Sequence, residues 1–234
     1  TSFFPKTYTL NNYKKLFTDT SILDFPQMFF NTFIIAIFTC IIATIFVLSV
    51  AYCMSRMRFK MRKPFMNFAM ILGLFPSFMS MIAVYYILKA IGLSEGAMIR
   101  VALIIVYSAG TGVGFYVAKG FFDTIPKALD EAAIIDGATR WQVFTKIVVP
   151  LSKPIIVYTI ITSFMSPWLD FIFAKVICRA DAKYYTVSIG LWKMLEKEYI
   201  DGWYTCFAAG AVIVSIPIAI LFLATQKFYV DGMS

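Results

Sequence analysis

The sequence contains no histidine, and charged side chains make up only 15% of its 234 residues. Histidine titrates nearest neutral pH and is the commonest metal ligand, so its absence removes the usual general base and metal site. No GxxxxGKS/T motif occurs, and the chain therefore lacks the loop that cradles nucleotide phosphates. With few acidic residues inside its apolar runs as well, the sequence offers no catalytic constellation for a membrane-embedded enzyme.

The four cysteines show neither a CxxC nor a zinc-type spacing. Cys40 and Cys53 lie in an apolar run, whereas Cys178 and Cys206 flank a polar loop. The sequence predicts buried, unbridged thiols at all of these positions, with a Cys178–Cys206 disulfide as the alternative. No metal site is predicted in the chain.

Apolar residues dominate the composition. They make up 60% of the chain, against roughly 45–50% in ordinary soluble domains, and a soluble fold of this size could not bury so much apolar surface. We therefore predict an integral membrane protein with one domain over residues 1–234. The net charge of +8 fits the excess of Lys and Arg in cytoplasmic loops, and binding to nucleic acid is not expected.

Five uncharged stretches approach or exceed the roughly 18–20 residues that a helix needs to cross a bilayer. They lie between charged residues at positions 24 and 56, 63 and 89, 100 and 119, 153 and 170, and 201 and 227. Backbone polar groups in lipid must bond internally, so each stretch is predicted to be a helix. The predicted fold class is all-α, with five membrane-spanning helices joined by polar loops.

A cluster of basic residues sets the expected orientation. The link between the first two runs contains five basic residues and no acidic one: Arg56, Arg58, Lys60, Arg62 and Lys63. By the positive-inside rule this link is cytoplasmic. Alternation then places residues 119–153 in the cytoplasm, residues 178–201 outside the cell, and the C-terminus inside.

Between the third and fourth runs, residues 126–149 form a compact polar segment that predicts a helix, a tight turn and a second helix. Pro126 suits a first helical turn, and Thr124 is placed to cap the exposed backbone donors. Gly137 is predicted to end the first helix, since glycine readily adopts the left-handed conformation that ends helices.

The second helix is predicted to begin at Thr139, which has the capping-box spacing with Gln142, and to end at Pro150. Three apolar residues are predicted to share one of its faces: Trp141, Phe144 and Val148. Between positions 119 and 153 the chain carries five basic and four acidic residues. A helix lying on lipid is typically basic on its polar face, so this near balance indicates a protein partner, with a lipid-surface hairpin as the alternative.

Residues 131–154 read EAAIIDGATRWQVFTKIVVPLSKP. This pattern resembles the EAA loop of the membrane-spanning subunits of ABC importers. The resemblance implies a type I ABC importer transmembrane domain, in which the segment is a cytoplasmic coupling helix that docks on a separate ATP-hydrolysing subunit. The residues implied in this contact are Glu131, Ala132, Ala133, Asp136, Gly137 and Trp141. The resemblance also implies two ATP-binding subunits that hold ATP and Mg, with no cofactor bound by this chain.

Other stretches resemble the carbohydrate branch of that family, whose best-known member is the maltose-type permease. Residues 51–59 contain Ala-Tyr followed by Ser-Arg-Met-Arg-Phe, and residues 121–126 read FFDTIP. Residues 168–171 resemble the branch's Trp-Asn-Asp/Glu-Phe element, although Leu169 stands at the usual polar position. The resemblance implies a bacterial inner-membrane permease that forms half of an oligosaccharide pathway, with a second permease subunit and an extracellular solute-binding protein as partners.

The polar loop between the last two runs is similar, at residues 185–191, to the maltose-type loop that probes the sugar pocket of a docked binding protein. The residues implied in this contact are Tyr185, Thr186, Ser188 and Gly190. The alternative is an amphipathic segment at the lipid headgroups, which would suit Trp192, Trp203 and Tyr204. The two interpretations are compatible with each other.

Polar and aromatic side chains in the apolar runs are candidates for the substrate pathway: Tyr85, Phe164, Trp168 and Asp170, with Tyr86 and Tyr107 as further aromatics. Aromatic rings stack on sugars but also fill cores, and packing is the simpler interpretation of any single ring. Asp170 differs, because a carboxylate near the membrane is costly unless it faces water or a partner. Its structural alternative is an ion pair with Lys175.

Two alternatives stay open: a permease of the same fold with another substrate, and a transporter of a different class. Related permeases of this fold carry amino acids, polyamines or phosphate. An ion-coupled secondary transporter would need no ATPase and should show paired intramembrane charges or inverted repeats. The chain begins without Met and ends in QKFYVDGMS; by resemblance to the sugar-importer permeases, an upstream first helix and a short C-terminal tail are expected beyond it.

Overall fold

The computed structural model describes residues 9–74, 77–110, 114–179 and 181–230. Within these ranges the regular elements are helices and no strand occurs, which confirms the all-α prediction. In chain order the α-helices are α1 (Asn11–Thr18), α2 (Phe25–Arg56), α3 (Arg62–Gly73), α4 (Ser77–Ala90), α5 (Met98–Gly110), α6 (Phe115–Thr124), α7 (Lys127–Ile135), α8 (Arg140–Val143), α9 (Val149–Leu151), α10 (Lys153–Leu169), α11 (Ile172–Cys178), α12 (Val187–Met194) and α13 (Ile200–Val230). A π-turn (Phe144–Val148) joins α8 to α9, and a short 3-10 helix (Ala182–Tyr184) precedes α12.

Helix α2 is the central scaffold of the bundle and packs against α5, α6 and α10. Its 32 residues span about 48 Å at helical rise. The helix begins after Asp24, whose side chain accepts a hydrogen bond from the Gln27 backbone N–H at 3.0 Å, and Pro26 lies in the first turn, where a missing N–H is tolerated. We name the two ends of the bundle from this helix: the Phe25 end and the Arg56 end.

Two helices are long and apolar enough to cross a bilayer by themselves, Phe25–Arg56 and Ile200–Phe228. Two further spans are possible if each is formed by a bent pair: Met98–Gly110 with Phe115–Thr124, and Arg140–Leu151 with Lys153–Leu169. The chain is therefore a multi-pass membrane protein, but the predicted count of five spans is not confirmed.

The second predicted span is divided in the structure. Helix α3 ends at Gly73 and α4 begins at Ser77, and Met79–Ala90 is a shorter apolar helix. The sequence carries Pro76 at this division. Proline has no backbone N–H and its ring clashes with the preceding turn, so an uncharged run that contains it need not form one continuous helix.

Two clusters of buried apolar residues fill the bundle, one at each end of α2. At the Phe25 end, α2 packs with Leu103 of α5 and Trp203 of α13. At the Arg56 end, it packs with Phe122 of α6 and Val148 of the π-turn. Because α2 contributes to both clusters, it connects the two ends of the molecule mechanically.

Candidate functional site

The segment between α6 and α10 folds as the helix, turn and helix that its sequence predicts. Helix α7 ends at Asp136, and Gly137 adopts a φ of +87°, in the left-handed region that favours glycine. The Thr139 hydroxyl accepts a hydrogen bond from the Gln142 backbone N–H at 3.3 Å, and the Gln142 side chain accepts one from the Thr139 N–H at 2.7 Å. Both the predicted turn and the predicted capping box are confirmed.

Two details of the prediction are wrong. Thr124 does not cap α7: its hydroxyl donates to the Phe121 carbonyl at 2.7 Å, and α7 follows Pro126 without a side-chain cap. Pro150 does not end the second helix either, because the chain continues through the π-turn into α9. Pro150 lies in the first turn of α9, where a missing N–H is tolerated. The helix axis then bends by 82° into α10.

The apolar residues predicted to share one face of the second helix occupy different environments. Val148 is fully buried, Phe144 is half-buried, and Trp141 is 70% exposed. The π-turn accounts for the difference, since it departs from the α-helical repeat and shifts the residues that follow. Trp141 therefore lies on the surface of the Arg56 end, with its ring centroid 5.7 Å from that of Phe144.

The predicted coupling residues follow one another at the Arg56 end, on α7, on the turn after it and at the start of α8. Those on α7 and the turn are exposed, apart from Ala133, which is half-buried: Glu131, Ala132, Ala133, Asp136 and Gly137. Ile134 and Ile135, which are 49% and 85% exposed, add apolar area. An exposed apolar patch rimmed by charge is typical of a protein–protein contact. We name this surface, residues 131–137 with Trp141, the coupling face.

An ion pair that the sequence did not predict joins the coupling segment to α2. Arg56 Nε lies 2.9 Å from Asp130 Oδ2, and the two side chains are only 4% and 13% exposed. Arg56 Nη2 also donates to the Ile125 carbonyl at 2.9 Å. In the sequence Arg56 counted only as one of several charges that set orientation. The sequence feature that could have predicted this ion pair is the position of Arg56 at the end of an apolar helix, where a buried charge needs a partner.

Two further hydrogen bonds strengthen the same junction. The Ser55 hydroxyl donates to Asp123 at 2.6 Å, and the Tyr52 hydroxyl donates to the Arg140 carbonyl at 3.2 Å. The last turn of α2 is therefore tied to α6, to α7 and to the start of α8. A displacement of the coupling face should be passed to α2 directly.

At the Phe25 end, the fully buried Asn31 holds the loop that precedes α12. Its Nδ2 donates to the carbonyls of Lys183 and Tyr185 at 2.9 and 3.0 Å. Its Oδ1 accepts from Arg100 Nε at 3.0 Å and from Gln27 Nε2 at 3.1 Å. All hydrogen-bonding positions of the amide are thus used, and α2 is tied to this loop.

The residues predicted to contact a binding protein are buried or half-buried, two in this loop and two in α12: Tyr185, Thr186, Ser188 and Gly190. Gly190 packs on α2, where an added Cβ would lie 2.5 Å from Met28 Sδ. The hydroxyls of Thr186 and Ser188 lie 2.9 Å apart, and Ser188 donates to the Asp170 carbonyl at 2.5 Å. These side chains build the loop from within, and its exposed positions are 179 and 181–183.

Replacing Asn31 by Leu should destabilise the protein, because the Arg100 Nε and the carbonyls of Lys183 and Tyr185 lose these hydrogen bonds. Each buried polar group left unsatisfied costs about 1–3 kcal/mol, so we expect a fall of several degrees in the melting temperature in detergent. Gln27→Leu is the matched control, since Gln27 contributes one of the hydrogen bonds to Asn31 and should matter little. Equal melting temperatures for the two variants would contradict this role of Asn31.

Three of the aromatic candidates for the pathway are packed in the interior, whereas Tyr86 is 61% exposed. Tyr85, Phe164 and Trp168 are 6%, 8% and 3% exposed. The Trp168 ring lies between Phe29 and Phe164, with centroid distances of 5.3 and 6.0 Å. The Tyr85 ring carries the Arg179 guanidinium 4.6 Å from its centroid. Packing and cation–π contacts account for the positions of these rings.

Asp170 is held by partners other than Lys175. Its carboxylate accepts hydrogen bonds from the Tyr107 hydroxyl at 2.8 Å and from the Ala174 backbone N–H at 2.9 Å, in the first turn of α11. Lys175 does not pair with it; its Nζ lies 5.0 Å from the centroid of the Tyr185 ring. The ion pairs of the described residues lie elsewhere, at the Arg56 end. The ion-pair alternative for Asp170 is therefore wrong.

A cavity of about 710 Å³ between α4, α5 and α10 is lined by Asp170 and Tyr107. The remaining lining is mostly apolar, with hydroxyl groups from Ser80, Thr162 and Ser166. This volume lies in the usual range of small-molecule sites. Asp170 and Tyr107, both candidates named from the sequence, thus line the same cavity.

Asp170→Asn should be tolerated better than Asp170→Ala. The amide oxygen of Asn still accepts the backbone N–H of Ala174, whereas Ala leaves that donor without its acceptor, at a cost of about 1 kcal/mol. Melting temperatures in detergent for both variants test this, with Lys175→Met as the control. Equal destabilisation by Asp170→Asn and Lys175→Met, with recovery in the double variant, would instead support an ion pair between Asp170 and Lys175.

The four cysteines are unbridged in the structure. Cys178 and Cys206 are buried as predicted, whereas Cys40 and Cys53 are only half-buried. The Cys178 thiol donates to the Tyr184 carbonyl at 3.3 Å. Burial raises the pKa of the Cys178 thiol to about 12, so it stays protonated at neutral pH and should not react with reagents that need a thiolate.

Long apolar helices and bent helix pairs define a multi-pass membrane protein that carries an exposed helix–turn–helix at one end. Residues 48–234 match the family described as binding-protein-dependent transport system inner membrane component. The chain belongs to this family, and the resemblance drawn from its EAA segment is confirmed. Family membership also confirms the prediction of a transport subunit.

Two relatives and one solved structure show how far the likeness extends. The chain is 35% identical, over its whole length and 81% of the relative, to the galactooligosaccharides transport system permease protein GanQ of Bacillus subtilis (strain 168). It is 32% identical, over 99% of the chain and 81% of the relative, to the maltodextrin transport system permease protein MdxG of the same strain. These names confirm the resemblance to the carbohydrate branch.

The fold is shared with a chain in the crystal structure of a bacterial ABC transporter involved in the import of the acidic polysaccharide alginate. The two chains superpose with a TM-score of 0.75 at 23% identity, over 96% of this chain and 81% of the other. The helical arrangement described above is therefore that of an ABC transporter membrane chain.

Proposed function

We propose that this chain is one of two permease subunits of an ATP-driven importer in the bacterial inner membrane, and that it forms half of the pathway for an oligosaccharide. The observation that carries the proposal is the similarity over the full chain to permease proteins of galactooligosaccharide and maltodextrin transport systems. Amino acids, polyamines and phosphate are the alternative substrates for a permease of this fold.

The coupling face is the proposed contact with an ATP-binding subunit. Its small residues Ala132 and Ala133 permit close approach, Ile135 supplies apolar area to bury, and Glu131 lies exposed for a basic partner. ATP and Mg are held by that subunit, and a second copy of it serves the second permease. The described part of this chain contains no group of acidic and thiol side chains that could hold a metal ion.

Helix α2 is the proposed link between ATP binding and the segment that joins α11 to α12, which we name the outer loop. At the Arg56 end it is joined to the coupling segment by the Arg56–Asp130 ion pair. At the Phe25 end Asn31 and Thr32 hold the loop before α12, where Thr32 accepts from the Val187 backbone N–H at 2.8 Å. A helix fixed at both ends moves as one body, so closure of the ATPases should reorient the outer loop together with the pathway.

The outer loop is the proposed contact with an extracellular solute-binding protein. Tyr185, Thr186, Ser188 and Gly190 support the loop from inside, and the exposed positions 179 and 181–183 form its outer surface. Arg179 has a φ of +50°, a conformation that L residues rarely adopt. Its guanidinium rests on Tyr85 of α4, which ties the surface of the loop to a helix that borders the cavity.

The cavity between α4, α5 and α10 is the proposed part of the substrate pathway in this subunit. Asp170 accepts hydrogen bonds, and the hydroxyls of Tyr107, Thr162 and Ser166 both donate and accept, which suits the hydroxyl groups of a sugar. The second permease subunit completes the pathway on the open side. In this scheme the carboxylate of Asp170 lies close to the outer mouth.

Cysteine labelling should reach a Lys60→Cys variant only from the cytoplasm and a Lys183→Cys variant only from outside. Lys60 lies in the basic link at the Arg56 end, and Lys183 lies in the exposed part of the outer loop. Impermeant maleimide applied to intact cells and to inverted vesicles measures both. The reversed pattern would place the coupling face outside the cell and refute the proposed orientation.

Uptake by a strain that lacks this chain tests the substrate class. Labelled maltodextrin and galactooligosaccharide are compared with a labelled amino acid, a polyamine and phosphate. We expect loss of uptake of one of the two carbohydrates, restored by the wild-type chain and not by a chain with a disrupted coupling face. Unchanged uptake of both carbohydrates with loss of another solute would move the chain to the alternative substrate class.

A further inference from the structure

A basic pocket of about 480 Å³ lies at the Arg56 end, between the end of α2 and the helices α7 and α8. Its charged lining comprises five basic and two acidic side chains: Arg56, Arg58, Arg62, Lys127, Arg140, Asp130 and Glu131. Asp130 is already neutralised by Arg56. The pocket therefore carries a net charge of +3 and is suited to an anion.

Two buried donors of Arg56 in this pocket lack a hydrogen-bond acceptor. The Arg56 side chain is 4% exposed, and its Nη2 is used by the Ile125 carbonyl. Nε and Nη1 have no hydrogen-bond partner, although Nε lies 2.9 Å from Asp130 in the ion pair, and Asp130 Oδ1 also lacks a hydrogen-bond partner. Buried guanidinium groups are normally satisfied, because an unpaired charged donor is costly. A phosphate oxygen entering the pocket would supply a missing acceptor, and the planar guanidinium matches phosphate geometry.

An apolar groove of about 260 Å³ adjoins the basic pocket. The two share Tyr52, Met57 and Arg140, and the groove continues along α2 past Cys53 to Ser49, with Trp141 and Phe144 opposite. Ser49 precedes Arg56 by seven positions in α2, about 10 Å toward the apolar part of the helix. The groove thus runs from the basic pocket in the direction of the hydrocarbon region.

We propose that this pocket and groove bind one anionic phospholipid, with its phosphate at Arg56, Arg58 and Arg140 and an acyl chain along Cys53 and Phe144. Basic pockets beside membrane helices on the cytoplasmic side suit anionic headgroups. The apolar groove selects a lipid over a free phosphate, which needs no groove, and over an acidic segment of another protein. The bound lipid fills the space between α2 and α7, and so stabilises the junction that carries the coupling face.

The test uses the complete importer purified with its partner subunits, and phosphatidylglycerol as the probe. Bound lipid is measured by native mass spectrometry during titration, with phosphatidylcholine, inorganic phosphate and glycerol 3-phosphate as separate arms. The pocket variant is Arg58→Gln with Arg140→Gln. The matched control is Lys60→Gln with Lys63→Gln, which removes the same charge from the same end but from outside the pocket lining.

The pocket variant should bind phosphatidylglycerol about 25-fold more weakly, since each basic residue near an anionic lipid is worth about fivefold. The control should change affinity less than about threefold. Cys53→Phe, which fills the groove without changing charge, should also weaken binding several-fold, and it guards against a folding defect in the charge variant. Neither inorganic phosphate nor glycerol 3-phosphate should displace the lipid at millimolar concentration.

Three results would overturn the proposal. Equal weakening of phosphatidylglycerol binding in the pocket and control variants would show that general surface charge, and not this pocket, attracts the lipid. Displacement of the lipid by inorganic phosphate alone would make the pocket a free-phosphate site. Loss of the ATP-binding subunit from the pocket variant, with lipid binding unchanged, would assign the pocket to protein docking. The measurement does not depend on which solute is carried, so its failure and the failure of the proposed function are distinguishable.

Discussion

Replacing Arg56 by Leu should lower the melting temperature in detergent by about 10 °C and abolish ATP-driven uptake. Removing one partner of a buried ion pair costs about 3–5 kcal/mol, because the other charge stays buried without compensation. Here that charge is Asp130, whose side chain is 13% exposed, and the Ile125 carbonyl loses its donor as well. The loss detaches α2 from the coupling segment.

Lys60→Leu is the matched control, because it removes the same charge from the same link at an exposed position that makes no ion pair in the described structure. It should melt and transport like the wild type. The double variant Arg56→Leu with Asp130→Leu should recover part of the stability, since no charge is then left buried, but not the uptake. Wild-type uptake by Arg56→Leu at wild-type protein level would show that the junction does not carry the motion.

Gly137→Leu should reduce ATP-driven uptake at least tenfold while leaving membrane insertion intact. Gly137 has a φ of +87°, and an L residue forced into the left-handed region costs about 1–2 kcal/mol. Space is not the obstacle, since an added Cβ would meet nothing within 4 Å. The strain instead reorients α7 relative to α8, and the coupling face loses its shape.

Gly96→Leu is the matched control for this backbone effect. Gly96 also has a positive φ, +56°, with open space around its Cβ position, and it lies in the link between α4 and α5, away from the coupling face. Both variants should lose a similar amount of stability, but only Gly137→Leu should lose uptake. Equal uptake by the two variants would mean that the turn at Gly137 is not specific to coupling.

Local features of the coupling segment could be predicted because their causes lie within a few residues. The positive φ of Gly137 and the capping box of Thr139 with Gln142 depend on side chains three or four positions apart. The Arg56–Asp130 ion pair and the Asn31–Lys183 hydrogen bond join distant parts of the chain. Such contacts depend on tertiary packing, which no local pattern contains.

Two other predictions are not confirmed, for identifiable physical reasons. The uncharged run between Lys63 and Lys89 shows that its side chains are compatible with lipid, but not that they form one continuous helix. Pro76 lies inside this run. Thr186 and Ser188 are named as contact residues from the resemblance to a family loop, and in the structure their hydroxyls bond to each other and to the Asp170 carbonyl. Polar side chains in a short loop serve its own structure as readily as a partner.

ATP-dependent uptake by proteoliposomes tests the central claim most directly. The vesicles contain this chain with its partner permease and ATP-binding subunits, and receive the binding protein and labelled oligosaccharide on the outside and ATP inside. We expect accumulation that requires ATP and the binding protein, survives dissipation of ion gradients, and is lost with Gly137→Leu. Accumulation driven by an ion gradient without ATP would contradict the account and identify the chain as part of a secondary transporter.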